Sequence, residues 1–171
     1  MKPALSIISP TNDRKTRTRK NQYNTFGTLP GIEGTCPGAT CADGGCSYIA
    51  EDRKLPVCYV NKLMSAFPGV RNILEYNTAE LKTENTLKLF TTFTREFQRF
   101  YDYEKKHDNI TEDGTSKAWY RIHWAGDIPN MAYARALAAA MRQFDKRINF
   151  WCYTRTFEAV SELALIPNCI T

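Results

Sequence analysis

The chain reads as an α/β protein: a small parallel sheet with β-α-β-α units, like part of a (β/α) barrel, preceded by an N-terminal cysteine loop and a long helix. Three observations predict this. Residues 118–171 alternate aromatic and β-branched runs with helical ones, the order that brings strands parallel through crossovers. Residues 84–106 carry apolar side chains every three or four positions, the period of a helix that buries one face. Between 36 and 58, four of the six cysteines share a segment punctuated by Pro37, Gly38, Gly44, Gly45 and Pro56, through which neither helix nor strand should run.

The 171 residues suit one domain with a real core. It divides into an irregular basic segment (1–35), the cysteine loop (36–58), a helical part (59–107) and the β-α-β-α part (118–171). Hydrophobic residues at 43% and charged residues at 24% are ordinary for a soluble globular protein. No apolar run approaches the ~20 residues a membrane helix requires, so no membrane partner is expected. The opening MKPALSIISPTNDRK lacks the apolar core of a signal peptide.

Formal net charge is +5, and Arg14, Lys15, Arg17, Arg19 and Lys20 alone supply five positive charges against Asp13. Such a cluster can neutralise phosphates, giving weak nucleic-acid contact through Arg14 to Lys20. The plainer alternative is a solvated tail, favoured because no aromatic residues interleave with the charges.

In chain order, residues 4–8 form a candidate strand, and 21–33, rich in Asn, Thr, Gly and Pro, are expected to be irregular. Pro68 suits a first helical turn, and Val70, Ile73 and Leu74 follow at helical spacing, with Asn77-Thr78 as a point of interruption or re-capping. Leu87, Phe90, Phe93, Phe97, Phe100 and Tyr101 make the stripe of the long helix; core packing explains them better than a cofactor box. His107 opens a polar loop and is assigned no role. Residues 118–124 make a strand, ended by Gly126 to Pro129, and Asn130 caps a helix running to about Phe144. A strand at 148–153, a helix at 157–163 capped by Thr156, and a candidate strand at 165–170 complete the chain.

Cys36, Cys41, Cys46 and Cys58 follow the spacing Cys-x4-Cys-x4-Cys-x11-Cys. Four soft thiolates on a bent loop suit an iron–sulfur cluster of the 4Fe-4S type. Structural zinc prefers Cys pairs two to four residues apart, and no Cys-x2-Cys knuckle is present. Two disulfides are the third reading, but they need an oxidising compartment. Cys152 and Cys169 are most simply buried small hydrophobes, although either could replace a loop cysteine as a ligand.

In parallel sheets, functional groups gather where strands end and helices begin. That rule selects Arg121, His123, Asp127 and Arg155 as groups able to surround a cluster or a small anionic ligand, with Trp119, Arg121 and His123 on one strand face. Each also has a structural alternative: Asp127 as a cap, His123 as a satisfied core histidine, Arg155 as a surface partner of Glu158. Four cysteine ligands would suit electron transfer or redox sensing with a redox partner the sequence does not identify. Three would leave an open iron, as an enzyme would need. The rival class is a zinc-stapled nucleic-acid-binding protein. No catalytic residue is identified.

The segments CPGATC, CYVNKLMSAFPGVRNILEYN, YRIHWAGDIPNMAY and FWCYTRTFE resemble the gene product 88 family of phages and plasmids. That family carries a CPGA…C…CYA motif, then R-x-H-x-S-G-D-I and Y-T-K/R segments. They map to Cys36-Pro37-Gly38-Ala39 and Cys58-Tyr59, to Arg121, His123, Gly126 and Asp127, and to Tyr153, Thr154 and Arg155. Ala125 stands where the family more often has Ser. The interval from Cys41 to Cys58 is longer than the family pattern, so either Cys41 or Cys46 can match the middle cysteine. The resemblance implies a phage-type protein in the cytoplasm of the host, with a metallocluster, and implies no reaction. The Gly126-Asp127 turn is also similar to the Gly-Gly-Glu turn of radical S-adenosylmethionine enzymes, but the chain has too few β-α units for their barrel.

Overall fold

Four short strands lie side by side in chain order, every neighbouring pair parallel. They are β1 (Tyr23–Thr25), β2 (Trp119–Ile122), β3 (Asn149–Cys152) and β4 (Cys169–Ile170). The helices are α1 (Tyr59–Ala66), α2 (Pro68–Leu81), α3 (Thr86–Lys106), α4 (Met131–Arg142) and α5 (Phe157–Leu163). This is a computed structural model, and it describes residues 23–31, 34–36, 58–107, 111, 113 and 119–171. The strand expected at 4–8, the basic cluster Arg14 to Lys20, and Cys41 and Cys46 lie outside the described residues.

The expected parallel α/β order of residues 118–171 is present, with α4 between β2 and β3 and α5 between β3 and β4. The sheet is linear, with β1 and β4 at its edges, so no barrel closes among the described residues. One expectation is corrected at the N-terminal side. Tyr23–Thr25, expected to be irregular, pairs with β2 in the register Tyr23↔Trp119 and Thr25↔Arg121. Tyr23 and Thr25 favour strands, but three residues within a run rich in Asn, Thr, Gly and Pro give no strand period. The ladder on β2 supplies the backbone partners that a buried strand must find.

Side chains alternate across the sheet. Tyr120, Ile122, Phe150 and Cys152 are buried on the face covered by helices, while Trp119, Arg121, Asn149 and Trp151 are half-buried on the other. The α3 stripe packs on the covered face: Phe97 lies 4.8 Å from Phe150 and 5.2 Å from Tyr120, ring centre to ring centre. Phe93, Phe97 and Phe100 are buried as the helical period requires, and Phe90 and Tyr101 pack at the margin of this core. Leu87 is the exception at 73% exposed. It sits in the first turn, and Leu89 takes the buried position there. The helix starts at Thr86, where the Asn85 side chain accepts from the Lys88 N–H at 2.9 Å and caps the first turn.

No break occurs at Asn77-Thr78; α2 runs through both. The Asn77 amide donates to the Gly27 carbonyl at 2.8 Å, and the Thr78 hydroxyl accepts from the Leu29 N–H at 2.8 Å. These polar residues therefore tie α2 to the chain leaving β1.

A charged residue is also built into the core. Glu96 of α3 is fully buried, accepting from the Tyr120 hydroxyl at 3.0 Å and from Arg99 at 3.0 Å. Burial outweighs both partners and raises its carboxyl to about 7, while burial first and Glu96 second push the Tyr120 phenol up.

Candidate functional site at the strand ends

A cavity of about 390 Å³ opens at the C-terminal ends of β2 and β3. Its wall is formed by the turn after β2, the turn after β3, Cys36 at the start of the cysteine loop and Tyr59 just past its end.

The turn after β2 begins at His123, whose φ of +55° ends the strand. This overturns the expected alternation of Trp119, Arg121 and His123 on one face. The left-handed backbone turns the imidazole toward the helix-covered side, where it meets Phe26 at 4.9 Å and hydrogen-bonds Tyr133 of α4. Both ring nitrogens are engaged. Nε2 lies 2.8 Å from the Tyr133 hydroxyl, and Nδ1 lies 3.3 Å from both the Ala125 carbonyl and the Thr28 hydroxyl. A tautomer with its proton on Nδ1, donating to Ala125 and accepting from Tyr133 at Nε2, satisfies this network. Burial is the main cause that pushes the imidazole down to about 4, and Arg121 adds to it; Asp127 and the Ala125 carbonyl oppose it. His123 is thus a neutral, satisfied core histidine that also forms part of the cavity wall.

Asp127 holds the two turns together. Its Oδ1 accepts from the Ile128 N–H at 2.7 Å and the Thr154 hydroxyl at 2.6 Å, and its Oδ2 accepts from the Arg155 N–H at 2.8 Å. The capping role considered for it belongs to Asn130, which accepts from the Tyr133 N–H at 2.9 Å. Thr156 sits at the expected cap position of α5, but its hydroxyl donates to the Ile128 carbonyl instead. The strand-end turns are therefore cross-linked by side chains rather than capped independently.

Gly126 sits between them at φ +72°, and a Cβ there would lie 2.0 Å from the Thr28 hydroxyl. Only glycine permits both the backbone and the approach. The threonines it admits position the start of the cysteine loop. Thr28 and Thr35 share a hydroxyl–hydroxyl bond, and the Thr35 hydroxyl accepts from the Asp127 N–H at 3.1 Å. The next residue, Cys36, lies on the cavity wall. The other end of the loop arrives at the same turn. Cys58, just before α1, is buried in a cluster with Trp124 and Ala125, and the Tyr59 hydroxyl donates to the Trp124 carbonyl. Tyr59 lines the cavity as well. Both described ends of the loop are thus fastened to residues 124–127.

The basic groups complete the wall. The Arg121 guanidinium lies over the Trp151 ring at 5.0 Å, and its Nε is buried without a hydrogen-bond partner among the described residues. The indole N–H groups of Trp124 and Trp151 are likewise buried and have no hydrogen-bond partner among the described residues. Arg155 and Tyr153 line the cavity and are exposed, and no Arg155–Glu158 ion pair occurs among the described residues. Sequence reasoning brought Arg121, His123, Asp127 and Arg155 to this edge, and all four line one cavity. It missed Thr28 and Thr35, which no local pattern marks, and gave no role to Tyr59 and Tyr133, which lie in the motif segments.

Cys152 and Cys169 do not line the cavity. Burial, with Cys169 and Asp127 adding, pushes the Cys152 thiol far up, and burial pushes Cys169 up to about 12. Among the described residues, no group of three or more His, Cys, Asp or Glu side chains is placed to hold a metal ion. The quartet Cys36, Cys41, Cys46 and Cys58 includes two members outside those residues. No described helix is long and apolar enough to cross a membrane.

Fold and cavity together define a small parallel α/β protein with a basic, cysteine-edged pocket at its strand ends. The family model for gene product 88 matches residues 6–171, and the chain belongs to the gene product 88 family. No curated protein and no solved structure matches it.

Proposed function

We propose that this phage-type protein, placed in the host cytoplasm, binds a 4Fe-4S cluster through Cys36, Cys41, Cys46 and Cys58 and serves electron transfer or redox sensing. The observation carrying this reading is that Cys36 shares the cavity wall with Arg121, whose guanidinium N–H donors have no anionic partner among the described residues. Such donors suit the inorganic and cysteinyl sulfurs of a cluster, and hydrogen bonds to sulfur are one means by which a protein sets a cluster's potential. The fastening of Cys36 and Cys58 to one turn supports it further, because a loop returned to its origin can surround one centre. When bound, a cluster supplies one-electron chemistry. Residues 121–127 would hold its surroundings: Arg121 as a fixed cation, His123 neutral, and Asp127 locking the β3 turn in place.

The same reading treats the sheet as part of a (β/α) barrel. Consecutive parallel strands with helices packed on one face are the arrangement of such a segment, and its mouth is the C-terminal strand edge. If one cysteine is not a ligand, the open iron suits an enzyme. The alternative with zinc suits a nucleic-acid-binding protein that uses Arg14 to Lys20.

Anaerobic purification with a visible spectrum and iron and sulfide analysis tests the proposal. Brown protein with stoichiometric sulfide is expected, and single Ser replacements at Cys36, Cys41, Cys46 and Cys58 should each bleach it while Cys152→Ser and Cys169→Ser do not. Colourless protein carrying zinc would refute the cluster, and strongly salt-dependent DNA binding would then favour the zinc-stapled reading.

A further inference from the structure

The cavity carries more positive charge than its own acid can answer. Two guanidiniums line it, Arg121 and Arg155, and one carboxylate, Asp127. That carboxylate already accepts from Ile128, Thr154 and the Arg155 backbone. The ion pairs among the described residues, Lys88–Glu80, Arg99–Glu96 and Arg135–Glu162, involve neither cavity arginine. Arg121 is also held in place. Its guanidinium lies over Trp151, whose ring meets Tyr153 edge-on at 5.3 Å, and its Nε is buried with no acceptor among the described residues. The guanidinium of this cavity-lining residue has no anionic partner among the described residues, and its terminal N–H groups are the donors an anionic ligand would meet.

Aromatic residues share the wall with Cys36, Gly126 and Thr154. Tyr59, Trp124 and Tyr153 line the cavity, and Tyr153 is 70% exposed at its rim. Aromatic faces beside a fixed arginine match a ligand with an apolar body and one anionic group. We infer that the cavity binds a small organic anion, its carboxylate or phosphate held by Arg121 and Arg155 and its apolar body lying among Tyr59, Trp124 and Tyr153. The inference rests on the cavity itself and stands whether or not a cluster shares it.

The test is a titration of the purified protein, followed by tryptophan fluorescence and calorimetry, with four probes: phenyl phosphate, benzoate, inorganic phosphate and benzyl alcohol. Saturable binding of phenyl phosphate or benzoate is expected, and the tighter of the two identifies the anionic group. Inorganic phosphate and benzyl alcohol, each lacking half of the recognition, should bind at least about tenfold more weakly. Arg121→Gln and Arg155→Gln should each weaken the organic anion about tenfold or more, the range for a hydrogen bond to a charged group. Arg155 is exposed, so Arg155→Gln keeps the test intact should Arg121→Gln not fold. No binding of either organic anion, equal binding of benzyl alcohol, or unchanged binding by both arginine variants would overturn the inference. Binding that persists in protein free of iron and sulfide supports it independently of the cluster, whose own test is the iron and sulfide analysis.

Discussion

Glu96→Gln is a direct test of the packing described above. The carboxyl is held at about 7 instead of 4.5, with burial as the leading cause. Each tenfold is worth about 1.4 kcal/mol, so the buried, ionised side chain costs roughly 3 kcal/mol of stability in alkaline solution. The sign follows from proton counting. Between pH 4.5 and about 7 the folded state holds the Glu96 proton and the unfolded state does not. Stability from this group is therefore complete below 4.5 and is lost as pH rises through 7. His123 works in the opposite sense. Its imidazole is pushed down to about 4 from 6.5, so its contribution is complete above 6.5 and is lost as pH falls through 4. The two slopes oppose each other over the shared window, and the wild-type curve is flatter there than either group alone would make it. Glutamine keeps an acceptor for the Tyr120 hydroxyl and never ionises. Urea unfolding of both proteins by circular dichroism, from pH 4 to 8.5, isolates the Glu96 term as a difference in which the other groups cancel. The variant should gain on the wild type by roughly 3 kcal/mol between pH 4.5 and 8. The steep rise from pH 4 to 6.5 due to His123 should then stand unopposed. A difference that stays flat within about 0.5 kcal/mol, the ordinary scatter for a surface change, would refute a buried, proton-holding Glu96.

Asp127→Ala removes three hydrogen bonds, two of which join the turn after β2 to the turn after β3. It should cost about 3–5 kcal/mol in urea unfolding, with Asp127→Asn intermediate; an alanine variant as stable as wild type would show that the clamp is not needed. Gly126→Ala meets the Thr28 hydroxyl and a φ of +72°, and a loss of at least ~2 kcal/mol is expected in the same assay. Phe97→Ala should lose about 3–5 kcal/mol, while Leu87→Ala, at a 73% exposed position, should stay within about 0.5 kcal/mol. Equal effects of the last two would contradict the orientation of α3.

The order of elements from residue 118 onward was legible because each carries a local signal. The run of residues 119–122 is aromatic and β-branched, Asn130 supplies a cap, and the α3 stripe repeats at the helical period. Leu87 shows the limit of that signal: the period places it on the stripe, but the buried face begins at Leu89. Arg121, His123, Asp127 and Arg155 could be placed at one sheet edge because a parallel crossover returns each strand end to the same side. What each does there was not legible. Asp127 spends its oxygens on Thr154 and Arg155, in a turn 27 and 28 residues away, and His123 leaves its strand face through a left-handed backbone.

The sequence by itself determined the helix faces, the parallel order and the family, because periodicity, caps and motifs are properties of neighbouring residues. Tertiary structure alone decided that Tyr23–Thr25 is a strand, that Asn77 and Thr78 serve α2 instead of ending it, and that Thr35 sets Cys36 against the turn after β2. Each of these depends on a buried backbone or side-chain polar group finding its partner, and in each case that partner lies 49 to 96 residues away along the chain.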